Sequence, residues 1–443
     1  MSRELTARRA VRAAYCGFFV DMFEIYLPIT VLAPALVYFV PPDIGARARA
    51  TIFSLTFAVS LIGRPIGAFI FGHFGDRLGR RRATLASVCG FAVTTLLIAA
   101  LPGFAASGGA GIALLIALRL TAGAFVGGEY TAANPLAMEC SAQERRGIDA
   151  AFIHVGYPAA LVCISVLGTL MLRLAPAGGA LSPYALWGWR VPFLVGALLG
   201  GGLFLYYLFR VPESELWHAS TKSGAPLRGL LRGADLARLG QLFVVMTGAW
   251  LTLDATIGAL PGVLGPVLGA SASRVNTGIL LGACCAAPVF PLIGMLGQRI
   301  GRRMTIALGG VVNLAPVPLL YYGLIDGGYR DSATLVGFVA LIVGLSMLVW
   351  PVITPYLAES FRTEIRASGY GISFSLAAAL PGLYSFYMLG LARWLPYALT
   401  PIVLLALGGL LLGVGALAGP ETKHVDLRSQ PAQNSTLTLQ EAE

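Results

Sequence analysis

Charged residues are scarce in this sequence: they make up 12% of 443 residues, whereas 57% of the residues are hydrophobic. A soluble protein of this length carries roughly 25% charged residues. Half that share leaves too little polar surface to cover a globule in water. The mean hydropathy is +0.77. The composition therefore excludes a soluble fold and predicts a protein whose main solvent is lipid.

Signatures of metal sites, cofactors and catalysis are also lacking. The six cysteines show neither CxxC spacing nor the density of a disulfide scaffold, and we interpret them as small buried apolar side chains. The sequence contains no GxxxxGK(S/T) phosphate-binding motif, which argues against ATP-driven pumping. It contains no Ser/His/Asp group and no cluster with metal-ligand spacing. We therefore expect no metal, no cofactor and no enzymatic activity.

What the sequence does contain is long apolar runs. Twelve of them are long enough to cross a hydrocarbon core of about 30 Å. They centre on residues 13–40, 51–74, 83–102, 111–138, 148–173, 190–210, 239–268, 275–297, 304–324, 333–358, 367–391 and 398–418. The first run is too long for a cleaved signal peptide, so we interpret it as a spanning helix. Pro261, Gly262, Gly265 and Pro266 interrupt the seventh run, which is the weakest of the twelve.

The lysines and arginines, which give a net charge of +10, determine the expected orientation. With the N-terminus in the cytoplasm, 22 of the 31 fall in inside segments and 7 in outside loops, while Arg64 and Arg119 remain within spans. This excess satisfies the positive-inside rule. We therefore predict a multi-pass protein of the bacterial inner membrane with both termini in the cytoplasm. The basic charge is explained by topology, so we expect no nucleic-acid partner.

A short, polar and basic stretch divides the apolar runs into two groups of six. The predicted domains are an N-terminal bundle at 1–210, a cytoplasmic linker at 211–238, a C-terminal bundle at 239–418 and a disordered cytoplasmic tail at 419–443. Two groups of six spans are typical of transporters that work by alternating access, in which one bundle rocks against the other around a central site.

The two halves share two motifs at nearly one offset. GDRLGRR, which begins at Gly75, recurs as GQRIGRR 222 residues later. Glu139 and Arg146 recur as Glu359 and Arg366, 220 residues later. Two independent motifs with almost the same offset indicate an internal repeat.

The repeated motifs predict a latch between the two bundles at the cytoplasmic side. Gly75 and Gly79 allow a tight turn between the second and third spans, while Asp76 and the arginines pair across the junction and hold one conformation closed. Topogenic charge alone is the alternative, but it explains the arginines and not Asp76 or the glycines. The predicted latch residues are Gly75, Asp76, Arg77, Gly79, Arg80, Glu139, Arg146, Arg299, Glu359 and Arg366.

Several stretches resemble the major facilitator superfamily and, within it, the metabolite:proton symporter family. GRPIGAFIFGHFGDRLGRRRA (Gly63–Ala83) is similar to the family's second-helix signature, and RLTAGAFVGGEYTAANPLAMECSAQERRG (Arg119–Gly147) to its fourth helix and following loop. WGWRVPFLVGALLG (Trp187–Gly200) resembles the start of its sixth helix. The resemblance implies an all-α major facilitator fold of twelve transmembrane helices in two pseudo-symmetric six-helix bundles. The chain departs from the family at DMFE, where Asp21 and Glu24 stand in the reverse of the usual order.

Six charged side chains fall within the predicted spans: Asp21, Glu24, Arg64, Arg119, Glu129 and Asp254. Each costs about 2.5–3.5 kcal/mol at the centre of a bilayer on insertion scales, so each must pair, be neutralised by protonation or face a wet cavity. Asp21 and Glu24 share one helical face, and two carboxylates so close in a low dielectric do not both ionise easily. We therefore assign proton coupling to Asp21, Glu24, Arg119 and Glu129.

Individual roles within this set are less determined. The resemblance implies that Arg119 pairs with Asp21, either within the coupling mechanism or as a permanent salt bridge. Glu129 is either a second proton relay step or part of a structural pair.

Substrate contacts are expected from the other buried charges and from aromatic side chains. Arg64 lies twelve residues before Asp76, hence roughly 18 Å from the loop, where it either clamps a carboxylate or fixes its own helix. Asp254 meets a substrate cation, takes up a proton or caps broken helix backbone. The predicted substrate-binding residues are Arg64, Arg119, Asp254, Trp250, Trp350 and Tyr384. For the three aromatic residues, packing between helices is the alternative.

The buried arginines, the acid pair and the resemblance together predict proton-coupled symport of a small organic anion, a mono- or dicarboxylate. Asp254 leaves a zwitterion open as the substrate, such as an amino acid or betaine. A drug/proton antiporter is another alternative, although GYPAAL (Gly156–Leu161) fits the fifth-helix motif of such proteins poorly. A sensor without transport and a passive facilitator are the remaining ones. The expected partners are a small-molecule substrate, protons and the lipid bilayer, and we expect a monomer.

Overall fold

The computed structural model describes residues 3–41, 43–220, 225–327 and 331–427, and these residues form helices and no strands. Eleven continuous helical stretches are long and apolar enough to cross a membrane. They are Glu4–Tyr38, Leu55–Leu78, Arg80–Ala99, Ala110–Cys140, Gln143–Leu174, Tyr184–Arg210, Gly233–Gly265, Arg302–Asp326, Ser332–Glu359, Thr363–Leu391 and Tyr397–Ala418. A bent pair of helices, Ala272–Ala286 and Phe290–Arg299, forms the remaining span. The prediction of twelve spans is confirmed, and we number them in chain order.

The broken span is the eighth and not the seventh. Its two helices meet at an angle of 45°, at a break that contains Pro288, whose nitrogen cannot donate a helical hydrogen bond. The seventh span continues through a π-helical segment, Asp254–Gly258, into the helix Ala259–Leu268. Pro261 therefore sits in the first turn after the π-helical segment, where loss of a regular α-helical hydrogen bond is tolerated.

The second and fourth spans touch through their backbones. A Cβ atom built at Gly63 or Gly67 would overlap the backbone of Ala124, and one built at Gly127 would overlap the backbone of Arg64. Small residues at four-residue spacing allow helices in a membrane to approach this closely. The backbone of Arg64 therefore lies directly against the helix that carries Arg119 and Glu129.

Two short helices, Glu215–Ala219 and Pro226–Leu230, follow the sixth span, within the stretch predicted as a linker. The helix of the seventh span begins at Gly233, before the predicted end of that linker. Lys222 of the linker and Arg330 of the outside loops lie outside the described residues.

The prediction of a disordered tail does not hold for residues 421–427. The Glu421 carboxylate accepts hydrogen bonds from the backbone N–H groups of Arg302, at 2.8 Å, and Arg303, at 3.1 Å. The carbonyl of Val425 accepts one from the Arg146 guanidinium at 2.9 Å. A carboxylate placed at a helix N-terminus is stabilised by the free N–H groups there, which explains why this segment is held in place. Residues 428–443 lie outside the described part of the chain.

Candidate transport site and gate

Five of the six charges predicted within spans are almost completely buried. The exposed fractions are 3% for Asp21, 1% for Glu24, 7% for Arg64, 0% for Arg119 and 3% for Glu129. Asp254, on the π-helical segment of the seventh span, is half-buried. Burial within the protein keeps these five charges away from lipid, as the cost of charge in a bilayer requires.

Arg119 forms an ion pair with Glu24, through Nη1 and Oε1. The pairing of Arg119 with Asp21, implied by the family resemblance, is therefore wrong for this chain. Because DMFE places the glutamate fourth, the longer acid side chain stands three residues further along the helix and meets the fourth span at Arg119. The second oxygen of Glu24 and the Nε and Nη2 atoms of Arg119 have no partner among the described residues.

Asp21 interacts instead with Glu129, so that two carboxyl groups face each other inside the N-terminal bundle. The Oε1 atom of Glu129 has no hydrogen-bond partner in the described residues. It lies against the backbone of Gly17, one turn before Asp21, where a Cβ atom would overlap it. Gly17 therefore provides the space that brings this acid pair together.

Arg64 is the buried cation without a fixed partner. Its side chain forms no hydrogen bond or ion pair within the described ranges, and its Nε is buried and unsatisfied. The Arg64 guanidinium interacts electrostatically with Asp21, in its own half, and with Asp254, in the other half. An uncommitted guanidinium between two halves is suited to bind an anion.

The predicted aromatic residues separate into two places. Trp250 and Trp350 pack edge to face with ring centroids 4.9 Å apart, and the Trp250 indole donates to the carbonyl of Phe374 at 3.0 Å. The Nε1 atom of Trp350 is buried without a partner in the described chain. Tyr384 lies elsewhere, with its ring against Gly258 and within electrostatic reach of Asp254.

Sequence reasoning missed the aromatic contact that joins the two halves. The rings of Tyr130, in the fourth span, and Phe374, in the eleventh, have centroids 4.0 Å apart. Asn134 donates a hydrogen bond to the hydroxyl of Tyr370 at 3.1 Å, again across the halves. No signal in the sequence distinguishes these residues from ordinary packing aromatics.

Asp76, at the end of the second span, is the centre of one part of the predicted latch, which we call the gate. Its carboxylate accepts hydrogen bonds from the backbone N–H groups of Ala367 and Ser368, both at 2.9 Å, at the start of a helix in the other half. Arg80 pairs with Asp76 at 3.0 Å and with Glu139 at 3.4 Å. Every one of these groups is buried.

The same gate is completed by Arg366, which pairs with Glu139 at 2.6 Å from the opposite half. A related arrangement surrounds Glu359, which pairs with Arg146 at 3.5 Å and with Arg302 at 3.3 Å. Gln298, in the position equivalent to Asp76, accepts a hydrogen bond from the backbone of Gly147 at 3.2 Å. The two halves are therefore closed against each other at the end of the molecule that carries the GDRLGRR and GQRIGRR loops, which we call the loop end.

Three predicted latch residues have other positions. Arg77 and Arg299 are exposed, and their side chains form no hydrogen bond or ion pair within the described ranges. Arg302, and not Arg299, pairs with Glu359. The internal repeat contained this information, because Arg302 follows Arg80 at the offset of 222 residues. Gly75 lies inside a helix, against Ala367, and the turn is made by Gly79 alone, at a φ of 115°.

Glu213 and Glu421 are further residues of this region that sequence reasoning missed. Glu213 accepts hydrogen bonds from the backbone N–H of Arg81 at 3.1 and 3.2 Å, as Glu421 does from Arg302 and Arg303. A Cβ atom at Gly79 would overlap Glu213, and one at Gly301 would overlap Glu421. The sequence did contain a signal for these two glutamates. Glu213 lies in PES, directly after the sixth span, and Glu421 lies in PET, directly after the twelfth.

Loss of the Glu24 carboxylate is expected to destabilise the fold more than loss of Glu129. In Glu24→Gln a buried guanidinium loses its ion-pair partner, which typically costs about 3–5 kcal/mol, whereas Glu129→Gln removes no ion pair. Thermal unfolding in detergent measures the difference. The double variant Glu24→Gln/Arg119→Gln should recover part of the loss. Equal stability of Glu24→Gln and the wild type would contradict the ion pair.

Replacing Asp76 by asparagine is expected to loosen the loop end. Each hydrogen bond to a charged group is worth about 1.5–3 kcal/mol, so amide exchange at Ala367 and Ser368 should accelerate by about tenfold or more. Hydrogen–deuterium exchange of the peptide that contains both residues measures this. Arg77→Gln is the matched control, because its side chain is exposed and unpaired. Unchanged exchange in Asp76→Asn would show that the gate does not depend on this carboxylate.

Comparison with protein families supports this architecture. The model of the Major Facilitator Superfamily matches residues 14–383. The chain therefore belongs to the major facilitator superfamily, which confirms the resemblance of its motifs. It is a multi-pass membrane transporter and not an enzyme. Among the described residues, no group of three or more His, Cys, Asp or Glu side chains could hold a metal ion.

Three curated relatives from Escherichia coli (strain K12) are similar over most of their length. The inner membrane metabolite transport protein YhjE is 29% identical, with 94% of each chain covered. The shikimate transporter is 30% identical, with 85% of each chain covered. The alpha-ketoglutarate permease is 28% identical, with 85% of this chain and 86% of the relative covered.

Among solved structures, the proton:xylose symporter XylE bound to 6-bromo-6-deoxy-D-glucose is similar to this chain. The TM-score is 0.77 at 18% identity, with 96% of this chain and 98% of that chain covered. At this level of identity the likeness shows the fold alone.

Proposed function

We propose that the protein is a proton-coupled symporter that carries a small organic anion, a mono- or dicarboxylate, across the bacterial inner membrane. The observation that carries the proposal is Arg64, a buried guanidinium without a fixed partner beside the acid pair of Asp21 and Glu129. The names of two relatives, a shikimate transporter and an alpha-ketoglutarate permease, are consistent with an organic anion as substrate.

Charge balance links the proton to the substrate. Four buried or half-buried carboxyl groups (Asp21, Glu24, Glu129 and Asp254) face two guanidinium groups, of which Arg119 is committed to Glu24. When Asp21 is ionised, it competes with an external anion for Arg64. A proton on the acid pair removes that competition, so proton binding and anion binding favour each other. Loss of the proton on the opposite side of the membrane restores the competition and expels the anion.

The gate supplies the conformational part of the mechanism. In this structure the loop end is closed, and we place it in the cytoplasm with both chain termini, because the positive-inside rule favours that orientation. Transport then requires the ion pairs of Asp76, Glu139 and Glu359 to separate as one half rocks against the other. The ion pairs of the gate join residues of a single chain, so we propose a monomer as the transporting unit.

Asp254 favours one second candidate, a zwitterionic substrate. Asp254, in the C-terminal half, and Arg64, in the N-terminal half, have opposite charges and interact electrostatically. An amino acid or betaine would satisfy both. For this candidate, Asp254→Asn should abolish binding, whereas for a plain organic anion it should leave binding intact or strengthen it.

Uptake into proteoliposomes under an imposed inward proton gradient tests the proposal. The substrates offered are radiolabelled shikimate, alpha-ketoglutarate, a simple monocarboxylate and betaine. We expect one of the organic anions to accumulate and an uncoupler to abolish accumulation. Accumulation of betaine alone would favour the zwitterion. Uptake that ignores the uncoupler would indicate a passive facilitator and would overturn the proposal.

A further inference from the structure

A pocket distinct from the transport site lies at the loop end of the N-terminal half. It has a volume of about 250 Å³, and three arginines line it: Arg9, Arg81 and Arg210. They come from the first span, the start of the third span and the last turn of the sixth. The pocket is therefore formed where three helices of one bundle meet.

Positive side chains outnumber negative ones among the residues that line this pocket. Glu213 is the acidic residue among those that line it, and its oxygens already accept hydrogen bonds from the backbone N–H groups of Arg81 and Ser214. Arg210 is exposed, and its side chain makes no hydrogen bond or ion pair in the described part of the chain. With three guanidinium groups and one carboxylate, the pocket carries a net charge of +2.

One guanidinium of the pocket is held in position by hydrogen bonds. Arg81 donates to the carbonyl of Leu208 at 2.7 Å and to that of Tyr207 at 3.4 Å, in the last turn of the sixth span. These bonds engage part of the guanidinium and leave its remaining N–H donors available.

Large apolar side chains border the same pocket. Phe209 is 73% exposed and Leu208 is 39% exposed. On a membrane protein, exposed apolar side chains at the end of a span contact acyl chains. The pocket thus presents cationic groups directly beside an apolar, lipid-facing surface.

The internal repeat indicates that the fold itself does not require all of this charge. Glu421 caps its helix in the C-terminal half as Glu213 does in the N-terminal half. The residue three positions before Glu213 is Arg210, whereas the residue three positions before Glu421 is Ala418. The same cap therefore forms in the other half without an arginine at this place.

From these observations we propose that the pocket binds the phosphate headgroup of an anionic phospholipid. Guanidinium groups form charge-assisted, bidentate hydrogen bonds with phosphate, and basic pockets between spanning helices are suited to anionic headgroups. A soluble phosphate would share this chemistry, but the exposed ring of Phe209 favours a ligand that also carries acyl chains. The proposal is independent of the transported substrate.

Native mass spectrometry of the full-length protein with equimolar phosphatidylglycerol and phosphatidylcholine tests it. We expect the wild type to retain phosphatidylglycerol preferentially. Each guanidinium removed should lower that retention about fivefold, which Arg210→Gln and Arg9→Gln/Arg210→Gln measure. Arg303→Gln, at the position equivalent to Arg81 but outside the pocket, is the matched control and should retain the lipid.

Two outcomes would overturn the proposal. Equal retention of phosphatidylglycerol by the wild type and Arg9→Gln/Arg210→Gln would place the lipid elsewhere. Displacement of the lipid by millimolar inorganic phosphate would assign the pocket to a soluble anion. Thermal unfolding of Arg210→Gln should match the wild type, because this side chain has no partner in the described chain.

Discussion

Replacing Arg64 by glutamine is expected to lower the affinity for the transported anion by about 100-fold or more, because two charge-assisted hydrogen bonds are lost. Uptake should become undetectable at substrate concentrations that saturate the wild type. Arg64→Lys should fall between the two, since lysine keeps the charge but not the bidentate fork. Binding measured by calorimetry, together with uptake into proteoliposomes, provides the test.

The fold is expected to survive this substitution, which makes the result interpretable. The Arg64 side chain has no hydrogen bond or ion pair in the described residues, and the contact of its helix with the fourth span is made by glycines. Thermal unfolding of Arg64→Gln should therefore match or exceed that of the wild type. Unchanged affinity in a well-folded Arg64→Gln protein would show that the anion binds elsewhere.

Asp21→Asn is expected to separate binding from coupling. The amide cannot be charged, so it imitates the protonated acid and leaves Arg64 free for the anion. Exchange of labelled for unlabelled substrate should continue, whereas accumulation driven by a proton gradient should be lost. A variant that still accumulates substrate in response to the gradient would refute the role of Asp21.

Gly17→Ala is expected to weaken proton coupling less than Asp21→Asn does. The added Cβ atom would overlap the Glu129 carboxyl and push it away from Asp21 without removing either acid. Accumulation should weaken while exchange continues, as in Asp21→Asn but less completely. Full accumulation by Gly17→Ala would show that Asp21 works without Glu129.

The internal repeat is present in the ion pairs of the gate but absent from the buried charges of the site. Glu139 and Glu359 hold equivalent ion pairs in the two halves. The buried charges of the site are not repeated, since all but Asp254 belong to the N-terminal half. We infer that the N-terminal half carries the proton and grips the anion, while the C-terminal half shapes the pocket through Asp254 and aromatic residues such as Trp350.

The sequence was sufficient to predict features with a strong one-dimensional signal. Apolar length predicted the twelve spans. The repeated motifs predicted Asp76, Arg80 and Glu139 as latch residues, and the structure places these three in contact at the loop end. The partner of Arg119 was not predictable, because it depends on the rotation of the first helix and on one methylene of side-chain length. In helices buried on most sides, periodicity does not define a face. Phe374 was missed for that reason.

Proton movement during substrate uptake, measured without an imposed gradient, tests the central claim most directly. A pH-sensitive dye outside proteoliposomes reports whether protons enter with the anion that the uptake assay identifies. Our account predicts that the external medium becomes more alkaline when substrate is added to the wild type, and that Asp21→Asn exchanges substrate without this change. Substrate uptake by the wild type with no movement of protons would contradict it.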